Sequence, residues 1–289
     1  METINAIRSS GDHASNRSDS KNAYVTTIFN GDNYLEGVLT LGYSLLETKT
    51  SYDVVCMVTP DVSEDAKNKM RMVNIIPIDV PYLRYNSKPL LSKKQRDVYQ
   101  SWMNVSYTKW NCLNLDYDKI LFLDADLVVA QNIDHVFLCN APATRFTSEI
   151  YGDAKLPKKV HPNTIKKLLS TRKGVINGSI VLLHPNKSHY IGLKRMLRQM
   201  EPFGFNSLSG SDEQALSYFM SVYDKGPKLS WVNLSKGYLL SWRDNVPSTN
   251  TYVYNFTGSD KPWNKDLTNF PDTVVWYAMN KKLKNHLKA

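Results

Sequence analysis

Two aspartates one residue apart, Asp124 and Asp126, follow the apolar run Ile120-Leu121-Phe122-Leu123. Side chains alternate along an extended backbone, so this spacing predicts both carboxylates on one side of it, at the carboxyl end of a buried strand. Carboxylates held that close repel one another unless a cation sits between them. Oxygen ligands suit Mg²⁺ or Mn²⁺, ions that commonly hold a substrate diphosphate as well. Open α/β sheets bind ligands at the carboxyl ends of their strands, so the pattern reads as a metal–diphosphate site. A strand closed by a polar Asp turn is the alternative without chemistry.

The elements that must carry such a site follow from periodicity. The β-rich run Ala23 to Phe29 leads through Asn30-Gly31-Asp32-Asn33 into Tyr34, Val38, Leu41, Leu45 and Leu46 at helical spacing. A strand at Asp53–Val58, a polar helix from about Ser63 to Met72 and a strand at Val73–Ile78 complete a βαβαβ pattern, which predicts a parallel sheet. Pro77 to Asp97 reads as irregular, and a helix through Met103, Tyr107, Trp110 and Leu113 leads to the Asp124/Asp126 strand. A buried strand at Gly178–Leu183, helices at Lys187–Met200 and Ser211–Tyr223, a strand at Thr251–Phe256 and a basic helix at Val274–Leu287 follow. The polar stretch 1–22 lacks apolar periodicity and reads as a disordered tail. Residues 23–289 read as one α/β domain with a mostly parallel central sheet.

Composition narrows the class. The chain has 289 residues, of which 42% are hydrophobic, as in ordinary soluble globular proteins. No run is long enough to span a bilayer and the first residues lack a signal-peptide core, so a cytoplasmic protein is expected. Three scattered cysteines, Cys56, Cys112 and Cys139, fit a reducing compartment. The net charge of +9 points to an anionic partner. The basic residues are dispersed and no nucleic-acid module is present, so nucleic acid is not expected. None of the six histidines has metal-ligand spacing such as i, i+4.

Several segments, in order, resemble the retaining sugar-nucleotide glycosyltransferases of family 8, the group of glycogenin and the plant galactinol synthases. They are Ala23-Tyr24-Val25-Thr26 with Tyr34, Gly37 and Leu41-Gly42; Val58-Thr59-Pro60-Asp61-Val62-Ser63; Tyr107-Thr108-Lys109 with Trp110 or Cys112; Leu123-Asp124-Ala125-Asp126 with Asn132 to Phe137; Asn177-Gly178-Ser179; and Gly258 with Lys261-Pro262-Trp263. The resemblance covers about residues 23 to 270. It implies a GT-A type fold and transfer of a hexosyl group from a UDP-sugar to a hydroxyl acceptor. It also implies Mn²⁺ or Mg²⁺ on Asp124 and Asp126, and some family members form homodimers.

On this resemblance Thr26, Thr27 and Asn30 lie near the base and ribose, and Tyr34 stacks on uracil or is the first core residue of its helix. Lys109 faces the diphosphate-sugar or is an exposed helix lysine. Asn177, Asp212 and Glu213 contact the donor sugar. Ser211-Asp212-Glu213 is equally a good helix start, and Asp212 is expected to serve as both cap and sugar contact. The family commonly has Asp-Gln here, which places Glu213 at the glutamine, or shifts the register by one to match Gln214. Gly258 and Lys261 close over the phosphates. One departure stands out: the family's third protein metal ligand is a histidine, and its position is held by Asn255, whose amide oxygen is a weaker ligand for Mn²⁺ than imidazole.

Rival readings are a haloacid-dehalogenase-type phosphatase, with Asp124 as nucleophile and Asp126 as acid–base, and a sugar-nucleotide-binding protein without turnover. The phosphatase motif normally opens its fold, whereas here over a hundred residues precede it. Self-glycosylation on a tyrosine such as Tyr238 is a third option.

Overall fold

A computed structural model describes residues 20–87, 93–146, 158–170, 176–199, 211–241, 251–268, 270 and 273–288. The expected tail lies outside these residues as far as residue 19, and strand pairing already begins at Asn22. The first half has the expected alternation: β1 (Asn22–Ile28), α1 (Leu35–Glu47), β2 (Asp53–Val58), α2 (Glu64–Met72) and β3 (Ile75–Asp79). Ser63 caps α2 through its hydroxyl, which accepts from the Ala66 amide. β1 and β2 pair in parallel from Ala23↔Asp53 to Ile28↔Val58, and β2 pairs in parallel with β3. β3 starts two residues later than expected because Asn74, at φ +57, turns the chain out of the helix. Pro77 is accommodated within it because β3 is an edge strand.

The helix expected through Met103 and Leu113 is two pieces, α3 (Lys93–Met103) and a 3-10 helix at Ser106–Asn114. Asn104 explains the break. Its carbonyl accepts from the Tyr85 amide and its side chain from the Ser87 amide, both in the irregular segment before α3. β4 (Lys119–Leu123) then pairs in parallel with β1, Ala23 opposite Ile120.

After β5 (Leu127–Val129), β6 (Ala143–Phe146), β7 (Lys158–Val160) and α4 (Pro162–Ser170), the sheet grows with mixed polarity. β8 (Ile176–Leu183) is antiparallel to β4 and to β6. α5 (Lys187–Gln199), α6 (Ser211–Tyr218, continued by a π turn at Phe219–Tyr223), β9 (Trp231–Asn233), β10 (Leu240–Ser241), β11 (Val253–Asn255) and α7 (Thr273–His286) complete the elements. The large sheet has the order β3-β2-β1-β4-β8-β6-β9-β7, and a small one the order β10-β11-β5.

β4 lies near the middle of the large sheet, covered on both faces. Ile120 and Phe122 pack into a cluster with Val25, Trp110, Val181 and Leu193, while Leu121 and Leu123 face Tyr24, Leu41, Ile180 and Leu182. A strand buried on both faces needs apolar residues at every position, which is why Ile120–Leu123 shows no polar alternation. α7 lies on α1, with Asn280 donating to the Thr40 hydroxyl. The architecture is an α/β fold with a large, mostly parallel central sheet.

Candidate active site

Asp124-Ala125-Asp126 is where the chain leaves the large sheet for the small one. β4 stops at Leu123, and Ala125 and Asp126 form a turn, so strand alternation does not set the two carboxylates as the sequence suggested. Each aspartate is held by a different partner strand. The Asp124 amide donates to the Ser179 carbonyl (3.0 Å), extending the β4–β8 ladder, and the Asp126 carbonyl accepts from the Phe256 amide (3.1 Å), extending β5–β11. α1 presses on this turn through Gly37, where a Cβ would lie 2.6 Å from the Ala125 carbonyl oxygen and 2.8 Å from the Trp263 ring.

Lys109 reaches the turn from the 3-10 helix. It is 8% exposed, and its ammonium stands 3.2 Å from Asp124 Oδ1 and 3.0 Å from Asp212 Oδ2. It is therefore no surface lysine. Burial pulls its pKa down, but Asp124, Asp212 and Glu213 outweigh that and raise it, so it stays charged. Trp110 fixes the other end of the bridge, its indole N–H donating to the Asp212 carbonyl at 3.0 Å. The Asp212 carboxylate is thus engaged with Lys109, alongside its place in the first turn of α6. Burial, helped by Asp126 and Asp212, lifts the Asp124 carboxyl above the ordinary range in spite of Lys109. Glu213 accepts from the Gly178 amide at 2.7 Å, and burial together with Asp212 pushes its carboxyl up to about 8. Asn177 sits beside this contact, its side-chain oxygen accepting from the Ser179 amide.

Lys261 approaches from the C-terminal loop. It is 4% exposed and donates to Asp126 Oδ2 (2.5 Å) and to the Phe256 carbonyl (2.9 Å). Gly258, at φ +102, supplies the backbone conformation that turns this loop. The Lys261 ammonium lies 5.8 Å from the Tyr34 ring centroid, and Tyr34 meets Trp263 edge-on. Tyr34 is 37% exposed, so it stands at the rim of the site and is not the first core residue of α1.

Among the described residues, no group of three or more His, Cys, Asp or Glu side chains could hold a metal ion. Asn255 adds an oxygen donor outside those residue types. It is buried, its Nδ2 donates to the Ser179 hydroxyl, and its Oδ1 has no hydrogen-bond partner among the described residues. The Ser179 hydroxyl in turn serves the Asp124 carboxylate, which brings Asn255 to the same corner. Two carboxylates and an orphaned amide oxygen are a donor set suited to a hard divalent cation.

Thr26 and Thr27 are not brought to this cluster by their side chains. Thr27 donates to the Met57 carbonyl within the sheet, and Thr26, 3% exposed, is buried beneath α1 among Val38, Leu41 and Leu123. Period-2 alternation buries both because β1 is covered on both faces. Asn30, at φ +59, receives the Tyr82 hydroxyl on its side chain and gives its amide to the same oxygen. Tyr238 is 7% exposed, bonded to His135 and stacked on Tyr252, so its hydroxyl is not presented for self-modification. Sequence reasoning gave no role to Ser179, Trp110 or Trp263. They stand in or beside the motif segments, but nothing local shows what they touch, because their partners are distant in the chain.

The glycosyl transferase family 8 profile matches residues 26–192, more than half of the chain. An uncharacterized protein, R707 of Acanthamoeba polyphaga mimivirus, is 32% identical over 88% of this chain and 90% of its own length. Glycogenin-1 of Caenorhabditis elegans is 26% identical over 83% of this chain, which spans only 50% of that relative. Among solved structures, the galactosyltransferase LgtC, in complex with donor and acceptor sugar analogues, superimposes with a TM-score of 0.55 at 14% identity. That match covers 90% of this chain and 95% of LgtC, and shows the shared fold. The phosphatase reading of the two aspartates falls with the family match, and Asp124 closes the fourth strand of the chain, not the first. By sequence and by fold, the chain belongs to glycosyltransferase family 8.

Proposed function

We propose that this glycosyltransferase moves a hexosyl group from a UDP-sugar to a hydroxyl acceptor with retention of configuration, assisted by Mn²⁺ or Mg²⁺, with residues 23–289 as the transferase unit. The observation that carries this reading is the convergence of Asp124, Asp126, Lys109, Asp212 and Lys261 where β4 ends. Asp124 and Asp126, with the Asn255 amide oxygen, would hold the cation, which when bound neutralises charge on the departing diphosphate. Lys261 is anchored on Asp126 at the same place and can give N–H donors to phosphate oxygens. Lys109 keeps its charge between Asp124 and Asp212, and Asn177, Asp212 and Glu213 form the side that receives the sugar. Tyr34 offers an exposed ring to the base. With no side chain assigned as a covalent nucleophile, the acceptor hydroxyl attacks on the face the diphosphate leaves. The buried free cysteines fit a cytoplasmic enzyme.

The experiment is release of UDP from a panel of UDP-sugars in Mn²⁺, in Mg²⁺ and in EDTA, for the protein and for Asp124→Ala and Asp126→Ala. Metal-dependent turnover of one donor, lowered at least about 100-fold in each variant, is expected. Binding of UDP without turnover of any donor would favour a sugar-nucleotide-binding role. No binding of UDP would overturn the reading.

A further inference from the structure

Glu213 is fixed from one side only. Its Oε1 accepts from the Gly178 amide at 2.7 Å, an approach open because a Cβ at Gly178 would lie 2.5 Å from Glu213 Cγ. Its Oε2 is buried and has no hydrogen-bond partner among the described residues. The charged groups acting on it are Asp212 on its own helix, Lys109 from the 3-10 helix and Asp124 from the end of β4. Lys109 is the cation of this set, and its ammonium is already placed against Asp212 and Asp124. An ionised Glu213 would leave a bare buried oxygen beside Asp212, at a cost larger than that of an unpaired neutral group. Burial and Asp212 therefore keep the proton on at neutral pH. A protonated carboxyl has a donor as well as acceptors. With Oε1 accepting from Gly178, the proton belongs on Oε2, where no described residue supplies an acceptor.

We infer that Glu213 works as an uncharged carboxyl whose Oε2–H donates a hydrogen bond to an oxygen of the transferred sugar, so that a UDP-sugar is distinguished from UDP in a pH-dependent way. The inference rests on the function proposed above. A ligand that needs this proton loses about tenfold in affinity for each pH unit above the titration of the group, and UDP, lacking the sugar, does not.

Calorimetric titration with UDP, UDP-glucose and UDP-galactose in Mg²⁺ from pH 6.5 to 9.5 tests it. The expected result is a fall of about tenfold or more in sugar-nucleotide affinity at the alkaline end, with UDP held within about twofold. Glu213→Gln, which places an N–H donor at the same point, should flatten that dependence, and Glu213→Ala should weaken sugar-nucleotide binding at every pH. Parallel profiles for UDP and the sugar nucleotides, or a Glu213→Gln protein as weak as Glu213→Ala, would overturn the inference. A second readout needs no ligand. In protein labelled with ¹³C at glutamate Cδ, the resonance missing from Glu213→Gln should titrate above pH 7. A midpoint in the ordinary carboxylate range would overturn the inference even if the nucleotides bind. Failure of UDP itself to bind would strike the proposed function, and this inference with it.

Discussion

Replacing Gly37 by alanine tests whether α1 sets the position of the aspartate turn. The new Cβ would stand 2.6 Å from the Ala125 carbonyl oxygen and 2.8 Å from Trp263 Cη2. Ordinary contact between such atoms is about 3.4 Å, so the carbonyl must retreat by about 0.8 Å. The Trp263 ring, packed against Tyr34 and Trp276, must shift as well. The carbonyl cannot move alone, because it joins two residues pinned by Asp124 N to Ser179 O and by Phe256 N to Asp126 O. Two energies oppose each other. Alanine favours an α-helix over glycine by about 1 kcal/mol, and crowding of this kind costs about 1–3 kcal/mol. The net loss of stability is therefore small, about 0–2 kcal/mol. The effect on the site is larger, since displacing reacting groups by about 1 Å costs up to about 100-fold in rate. Gly37→Ala should thus lose about 10- to 100-fold in UDP release and bind UDP in Mg²⁺ more weakly, while its urea midpoint changes little. Wild-type turnover together with wild-type UDP affinity would refute the argument. It would mean either that the turn is not pressed by α1 or that its position does not matter.

Lys109→Met should cost roughly 3–5 kcal/mol at pH 8, because it strips the cation both from Asp124, whose side chain is 29% exposed, and from Asp212, whose side chain is 4% exposed. The sign with pH is set by Asp124, already raised by burial: as pH falls the carboxyl takes up a proton and the penalty shrinks. Urea unfolding at pH 8 and pH 5.5 checks this, and a loss that is equal or larger at the lower pH would contradict it. Asn255→His should bind Mn²⁺ about tenfold tighter, read by paramagnetic resonance of free Mn²⁺. It should also lose about 1–3 kcal/mol, since position 255 is 1% exposed and has no spare room. Unchanged Mn²⁺ affinity would place residue 255 away from the metal.

The regular elements were legible where one period dominates. The run Asp53–Val58 is a strand as read, and Leu35–Glu47 a helix, because apolar residues run without a break in the first and recur at three- and four-residue intervals in the second. What escaped is set by partners far away in the chain. Asp124-Ala125-Asp126 reads as a continuation of the strand, but the backbone turns there because its hydrogen bonds go to Ser179 and Phe256 on two different sheets. The break at Asn104 likewise answers to Tyr85 and Ser87. Thr26 and Thr27 look like ligand-facing hydroxyls in a list of residues. The two-faced burial of β1 turns them inward.

The sequence reads two repelling carboxylates in need of a cation, and the structure adds what the sequence could not supply. Each aspartate already has a lysine from a distant segment, Asp124 from the 3-10 helix and Asp126 from the C-terminal loop. With Glu213 neutral, the formal charges of Asp124, Asp126 and Asp212 against those of Lys109 and Lys261 leave a single negative charge in the cluster. On the proposed function a divalent cation turns this into a single positive charge, and a dianionic diphosphate returns it to a single negative one. The site therefore stays within one charge of neutrality at each stage of loading, which keeps the cost of burying these groups low. A diphosphate arriving without the cation would meet the negative cluster alone. The same charge count explains why a neutral Glu213 matters: its ionisation would double the negative charge that Lys109 and Lys261 leave unbalanced.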